Sequence, residues 1–228
     1  MFNSSAQLQS GYIGSEKQPL LVIDKVFAEP DVFVREAAGA TFSAPAGSAY
    51  PGLNATLPNG LGVALAEALR PLLGQGFGMD VTGALTITGF LALATTPAED
   101  LTALQRIPHF DSADPQRVAI VLYLCQAGFG GTAFFRHRAT GFETIDKGRV
   151  KTFAAHAKYE VENVPAAYTD AMTPYYEQTA QVNADYNRLV AYRNNIFHAA
   201  VLGQGQLSPD PRTGRLTANL FIEARKAR

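Results

Sequence analysis

The chain has 228 residues, of which 47% are hydrophobic and 17% are charged, and its formal net charge is −1. A chain of this length and apolar content can bury a sizeable core, so we expect a single domain over 1–228. The low, balanced charge argues against a nucleic-acid-binding surface, and no apolar run is long enough to span a bilayer, so no membrane partner is expected.

The N-terminal part of the chain, 19–80, predicts one strand and two helices. The polar residues before it, 1–18, are expected to form a flexible arm. A short buried strand is predicted at 20–24, and a helix over 30–38, where a proline and an aspartate favour a helix start. Apolar residues at helical spacing predict a second helix over 61–73.

Short apolar and threonine-rich segments dominate the rest of the chain, 81–228, and predict strands. The stretch of about 138–187 separates these segments as a helical insertion, in which 166–182 is expected to be the helix. Helices followed by short strands predict an α+β domain with a β-sandwich or barrel core. The predicted strands are 81–93, 118–124, 133–136, 188–193, 196–201 and 215–222.

Two features of the sequence favour a cytoplasmic protein. The single cysteine, Cys125, follows an apolar run, so it is expected to be a small buried hydrophobe rather than part of an internal disulfide. The first residues, 1–6, have neither the basic region nor the apolar region of a secretory signal.

A possible metal site consists of His109-Phe110-Asp111 and His198. In a strand, residues two apart point to the same side, so His109 and Asp111 can reach one metal. Two imidazoles and a carboxylate on one face suit non-haem Fe(II), because they leave positions for an organic co-substrate and O₂. The alternatives are that the His-Phe-Asp segment is a polar surface turn and that His198 is a core histidine bonded to backbone.

The order of these segments resembles the iron(II)/2-oxoglutarate-dependent oxygenases, most closely their prolyl-4-hydroxylase-like branch. The resemblance covers roughly 81–136 and 188–223, with weaker support from 19–38. It implies a double-stranded β-helix (jelly-roll, cupin-like) core with flanking N-terminal helices and a helical insertion. The motifs that carry it are His109-Phe110-Asp111, Leu122-Tyr123-Leu124 with Gly130-Gly131-Thr132-Ala133-Phe134, Asn195-Ile196-Phe197-His198, and Arg215-Leu216-Thr217.

The resemblance also implies the cofactors and the ligand set. Fe(II) would be held by His109, Asp111 and His198, which would also be the catalytic residues, and 2-oxoglutarate would be the co-substrate. Related halogenases lack the carboxylate ligand and leave a position for chloride. The presence of Asp111 therefore favours hydroxylation.

The far carboxylate of 2-oxoglutarate would be bound by Arg215, whose planar guanidinium can donate two parallel hydrogen bonds. Tyr123 and Thr217 can add hydroxyl groups at the same place. The gap between His198 and Arg215 is longer than is usual in the family, which leaves Arg212 as an alternative anchor. We favour Arg215, because it begins an apolar strand.

These observations predict a 2-oxoglutarate-dependent dioxygenase that hydroxylates a peptide, an amino acid or a small metabolite. The segments 138–187 and 44–58 are expected to line the entrance, and Arg136, His137 and Arg138 favour a polar or anionic substrate group. The alternatives are a non-catalytic metal- or ligand-binding jelly-roll protein and a cupin-type isomerase or hydrolase. An arginine-lined anion pocket beside the metal would favour the oxygenase.

Overall fold

The computed structural model describes residues 2–45, 47–203 and 207–224. The helices of these ranges are α1 (Asp31–Gly39), α2 (Asn59–Phe77) and α3 (Val150–Asn163), and none of them is long and apolar enough to cross a membrane. The strands are β1 (Gln7–Ile13), β2 (Gln18–Asp24), β3 (Gly52–Thr56), β4 (Leu85–Ala94), β5 (Val118–Tyr123), β6 (Gly131–His137), β7 (Tyr176–Asn183), β8 (Arg188–Arg193), β9 (His198–Val201) and β10 (Arg215–Ala224).

The strands form two antiparallel sheets. The large sheet has the order β1-β2-β8-β5-β10-β4-β3, and the small sheet has the order β7-β6-β9. Each strand pairs with its neighbours in antiparallel orientation. The sheets are thus antiparallel, and the two predicted N-terminal helices are confirmed as α1 and α2.

The centre of the large sheet is buried on both faces at β5, which explains the continuous apolar run of that strand. Ile120 and Leu122 belong to a core cluster that also contains Leu65 and Leu69 of α2. The alternate residues of β5 belong to a second cluster, which reaches Phe134 of the small sheet. Since side chains alternate along a strand, one face of β5 packs on the helix and the other faces the small sheet.

The prediction of a flexible arm over 1–18 is wrong, because this segment contains β1 and the turn into β2. β1 pairs with β2 along its whole length. The carboxylate of Glu143 accepts hydrogen bonds from the backbone N–H groups of Ser15 and Glu16, at 3.0 and 2.9 Å. The polar composition misled the prediction, because β1 is exposed at the sheet edge and is held mainly by backbone pairing.

The helix predicted over 166–182 is also wrong. The helix of the insertion is α3, and residues 176–183 form β7, which pairs with β6. Pro174 cannot continue a helix, since it lacks a backbone N–H, and the residues that follow it satisfy their backbone groups along the edge of β6.

Candidate functional site

The His109 segment is extended but forms only one bridge of β-structure. The backbone N–H of His109 donates to the carbonyl of His198 at 2.9 Å, and the reverse bond measures 2.8 Å. The N–H of Asp111 donates to the carbonyl of Asn194 at 2.8 Å. Backbone pairing thus brings the two histidines side by side, with ring centroids 4.5 Å apart, although the strand assumed for His109 and Asp111 is reduced to an isolated bridge.

The side chains of His109, Asp111 and His198 converge on one point. One ligand atom from each lies within 4.8 Å of the other two. Nε2 of His109 lies 3.6 Å from Oδ1 of Asp111, and Nε2 of His198 lies 3.6 Å from Oδ2. These distances are too long for hydrogen bonds, and the Asp111 carboxylate accepts none from the described residues. The two imidazoles and the carboxylate therefore point their lone pairs at one place without hydrogen-bonding to one another. A cation bound between them would fit this arrangement.

The orientation of His198 is fixed by the backbone. Its Nδ1 lies 3.0 Å from the carbonyl oxygen of Ile196. A carbonyl can only accept, so in the neutral ring Nδ1 carries the proton and Nε2 keeps its lone pair towards Asp111. This is the tautomer that a metal-binding histidine requires.

Burial sets the protonation of the cluster. It lowers the pKa of His198 to about 4. Burial also lowers the pKa of His109 to about 4, with a further contribution from His198 and an opposing one from Asp111. Both imidazoles are therefore neutral at pH 7, which is the form that binds metal. The pKa of the Asp111 carboxyl is raised, mainly by burial.

Arg215 provides a buried positive charge near this cluster. The residue is only 2% exposed. Its Nε donates to the carbonyl of Phe129 at 3.1 Å, and its Nη2 donates to the carbonyl of Gly131 at 2.8 Å. It forms no ion pair with a carboxylate of the described residues. A buried, unpaired guanidinium is costly, so the site calls for an anion that comes from outside the chain.

Two hydroxyl groups accompany Arg215. Thr217 follows it on the same face of β10 and is almost fully buried. The Tyr50 hydroxyl is buried without a hydrogen-bond partner among the described residues. Tyr50 lines the same cavity as Arg215 and Thr217, and burial, the larger effect, raises its pKa, whereas these two residues act to lower it. Tyr50 was not predicted from the sequence; its only signal was its position in the loop 44–58, which was expected at the entrance.

One cavity of about 370 Å³ connects the predicted residues. Its walls include His109, Asp111, His198, Arg215, Thr217 and Tyr50. Its volume falls at the lower end of the range for small-molecule sites.

Tyr123 and Arg212 lie outside the walls of this cavity. The Tyr123 hydroxyl is 2.6 Å from Oγ1 of Thr132, so it is already hydrogen-bonded within the protein. The Arg212 side chain is 66% exposed and lies 3.5 Å from Asp210. Of the two candidate arginines, only Arg215 reaches the cavity.

The basic segment after the Gly-Gly turn does not line the cavity either, contrary to the prediction. His137 is fully buried, with Nε2 2.7 Å from Oε1 of Glu160 and Nδ1 2.8 Å from Oγ1 of Thr140. Arg136 pairs with Glu143 and Glu177, and Arg138 donates to a backbone carbonyl. His137 belongs to the face of β6 that is turned away from the large sheet, which explains the difference.

Comparison with solved structures shows a shared fold. The non-haem α-ketoglutarate-dependent epimerase SnoN from nogalamycin biosynthesis has a TM-score of 0.51 and 12% identity, over 91% of this chain and 79% of that one. HygX from Streptomyces hygroscopicus, with nickel, 2-oxoglutarate and hygromycin B bound, has a TM-score of 0.52 and 11% identity, over 91% of this chain and 84% of that one. EctD from S. alaskensis, with bound Fe, has a TM-score of 0.50 and 12% identity, over 97% of this chain and 85% of that one.

Sequence comparison identifies the family. No curated protein matches the sequence. The model of a family of unknown function, DUF6445, matches residues 4–222. Because this match covers nearly the whole chain, the protein belongs to the DUF6445 family.

Proposed function

We propose that this protein is an Fe(II)- and 2-oxoglutarate-dependent dioxygenase that hydroxylates a small molecule, an amino acid or a peptide. One observation carries the proposal: a cluster of two neutral imidazoles and a carboxylate shares a cavity with a buried arginine that has no acidic partner among the described residues. HygX and EctD, which share the fold, hold nickel with 2-oxoglutarate and iron, respectively, which supports the same cofactors here.

The fold supports a finer interpretation, in which the two facing sheets form a double-stranded β-helix. The cavity has walls from β5 and β10 of the large sheet and from β6 and β9 of the small sheet, so the site lies between the two. We assign the chain to the prolyl-4-hydroxylase-like branch on its sequence motifs.

The side chains of the cluster would hold Fe(II). His109 and His198 offer uncharged nitrogen lone pairs, and Asp111 offers the one negative charge. The hydrogen bond between His198 and Ile196 fixes the ring, so that metal binding does not require a change of tautomer. Asp111 would supply the carboxylate ligand that the related halogenases lack, which favours hydroxylation over halogenation.

Arg215 would bind the far carboxylate of 2-oxoglutarate. Its guanidinium is already held by two backbone carbonyls, so little side-chain freedom is lost on binding. The Tyr50 hydroxyl, which lacks a partner, can donate to the same carboxylate. Once bound, iron and 2-oxoglutarate supply O₂ activation, while the buried walls of the cavity exclude bulk water.

A non-catalytic binding protein on the same fold explains these residues less well. Such a protein needs no anion pocket beside its metal, whereas here Arg215, Thr217 and Tyr50 converge on the same cavity as the metal cluster. We therefore favour the enzyme.

The direct test is an anaerobic titration with Fe(II) and 2-oxoglutarate, followed by the weak visible absorption of the iron–2-oxoglutarate complex. We expect this band in the wild-type protein and its loss in His198→Ala. A wild-type protein without the band, or a variant with an unchanged band, would contradict the assignment.

The two candidate arginines provide a matched pair for the co-substrate. Arg215→Ala should weaken 2-oxoglutarate binding by about 10- to 100-fold, since each charge-assisted hydrogen bond contributes about 1.5–3 kcal/mol. Affinity for Fe(II) alone should change little. Arg212→Ala removes the same type of charge from an exposed position and should leave both affinities unchanged. Equal losses in the two variants would refute the role of Arg215.

A further inference from the structure

The cavity extends along β10 from Arg215 towards Phe221. Arg215, Thr217, Asn219 and Phe221 all line it, since alternate residues of a strand share one face. Six residues of a strand span about 20 Å between Cα atoms, so Arg215 and Phe221 belong to opposite ends of the cavity. The two ends of the cavity can therefore receive different groups.

The metal cluster lies at the level of the Phe221 end. The His198 ring is 4.8 Å from the ring of Tyr192. Tyr192 pairs with Ala119 across β8 and β5, and Ala119 pairs with Phe221 across β5 and β10. A co-substrate anchored on Arg215 would occupy that end of the cavity and leave the Phe221 end for the reacting molecule.

Two phenylalanines form the wall of this end. The rings of Phe90 and Phe221 are 6.0 Å apart and tilted by 43°, and both residues are partly exposed. Neither ring is closed off by the core, although both line the cavity. Aromatic rings at such distances stack favourably with further flat apolar groups.

The same end offers no unpaired charge. Among the described residues that line the cavity, Asp111 and Arg215 carry the only formal charges at pH 7, and both have been assigned to the cofactors. The charged side chain that follows Phe221 on the same face of β10 is Glu223, and its carboxylate lies 3.2 Å from Nε of Arg117. A charged group buried beside Phe221 would lose hydration without gaining a free partner.

We propose that the reacting part of the substrate is an uncharged aromatic or fused-ring group that stacks on Phe90 and Phe221. This inference rests on the proposed function and narrows it. The zwitterionic end of a free amino acid, a phosphate and an amine are all excluded from the position beside the metal. A neutral ring metabolite and an aromatic side chain within a peptide fit it.

Three probes that share one ring system but differ in charge test this inference. Binding of neutral indole, anionic indole-3-acetate and cationic tryptamine is measured by ligand-observed NMR on the metal-free protein. It is measured again on the protein loaded anaerobically with Fe(II) and 2-oxoglutarate. We expect indole to bind at least tenfold more tightly than either charged probe in both states. Equal or tighter binding of a charged probe, or no binding of indole, would overturn the inference.

Variants locate the binding. Phe221→Ala should weaken indole binding by about tenfold. Phe221→Leu keeps an apolar side chain and serves if the alanine variant does not fold. It should weaken indole binding by a smaller but measurable factor. Tyr12→Ala removes an aromatic side chain that is 73% exposed on β1 and should have no effect. Indole binding that is insensitive to both Phe221 variants would overturn the assignment.

A failure of this inference can be distinguished from a failure of the proposed function. Selective indole binding at Phe221 in a protein without the visible iron–2-oxoglutarate band would refute the dioxygenase and, with it, the ring as a substrate group. The band together with a preference for a charged probe would refute only the present inference.

Discussion

Two histidine–carboxylate clusters lie on opposite faces of the small sheet, and they differ in how their histidine nitrogens are hydrogen-bonded. In one, His137 is fully buried, and both ring nitrogens contact side-chain oxygens at 2.7 and 2.8 Å. In the other, the two imidazoles stand 3.6 Å from Asp111, and the His109 side chain is 32% exposed.

The difference indicates which cluster is available for chemistry. A histidine whose two nitrogens are both occupied has no lone pair to offer, so His137 can only stabilise the fold. In the open cluster, Nε2 of each histidine and the Asp111 carboxylate have no hydrogen-bond partner among the described residues, and polar groups left available in this way often have a function. The closed cluster should therefore respond to mutation through stability, and the open one through metal binding.

The largest expected effect comes from the closed cluster. Among the described residues of α3, only Glu160 is buried. Its Oε1 contacts Nε2 of His137. Glu160→Ala leaves the His137 ring without its partner in the core, so we expect a loss of about 3 kcal/mol in the free energy of unfolding. Urea denaturation of the metal-free protein measures it.

The control for this substitution is Glu162→Ala on the exposed part of the same helix. It should change stability by less than about 0.5 kcal/mol. The folded fraction of Glu160→Ala should still bind Fe(II) normally. A variant that lost metal affinity while keeping its stability would reverse the distinction between the clusters.

The next largest effect comes from the open cluster. Asp111→Asn keeps the shape of the side chain but removes the negative ligand, so affinity for Fe(II) should fall by about 100-fold or more, beyond the effect of outer-shell changes. The stability of the metal-free protein should stay the same or rise, because the Asp111 carboxylate is desolvated and accepts no hydrogen bond from the described residues. Metal titration and urea denaturation of the same sample would measure both, and a large loss of stability would contradict the prediction.

A smaller effect is expected in the way the stability of the metal-free protein depends on pH. The pKa values of His109 and His198 are about 4 in the folded state, below the ordinary value of 6.5. The unfolded chain therefore binds more protons between these values, so the stability contributed by the neutral rings is present above pH 6.5 and is lost as the pH falls towards 4. Urea denaturation at pH 7.5 and pH 5 would show it.

Asp111 opposes this trend, because its raised pKa favours the folded state as the pH falls. The Asp111→Asn variant should therefore lose stability more steeply between pH 6.5 and pH 4 than the wild-type protein. A flatter profile in this variant would contradict the raised pKa of the Asp111 carboxyl in the folded protein.

The sequence predicted the open cluster better than the closed one, for a physical reason. Metal ligands follow a short pattern of residue types, so His109, Asp111 and His198 could be selected together. His137 meets Glu160 through the packing of α3 on the small sheet, and neither the spacing nor the composition of the segment indicates that contact. For the same reason Tyr50 was missed, because its loop reaches Arg215 only after β3 has paired with β4.

The strands were predicted where burial on both faces left a continuous apolar run, as in β5. β1 was missed, because an exposed edge strand has no apolar pattern to detect. β7 was missed because its residues, Tyr176–Asn183, are mostly polar and only two of them are buried. Local pattern thus located the core strands and the metal motif, while the edges and the insertion depended on tertiary contacts.

The smallest effect is expected in the closed cluster. It tests whether both hydrogen bonds of His137 contribute to stability. Oγ1 of Thr140 lies 2.8 Å from Nδ1 of His137, and Oε1 of Glu160 lies 2.7 Å from Nε2. Thr140→Ala should lower the free energy of unfolding by about 1 kcal/mol, the usual contribution of one hydrogen bond. Thr140→Ser keeps the hydroxyl and should recover most of that loss. If the two variants were equally unstable, the methyl group rather than the hydrogen bond would be responsible, and Nδ1 would not need a partner.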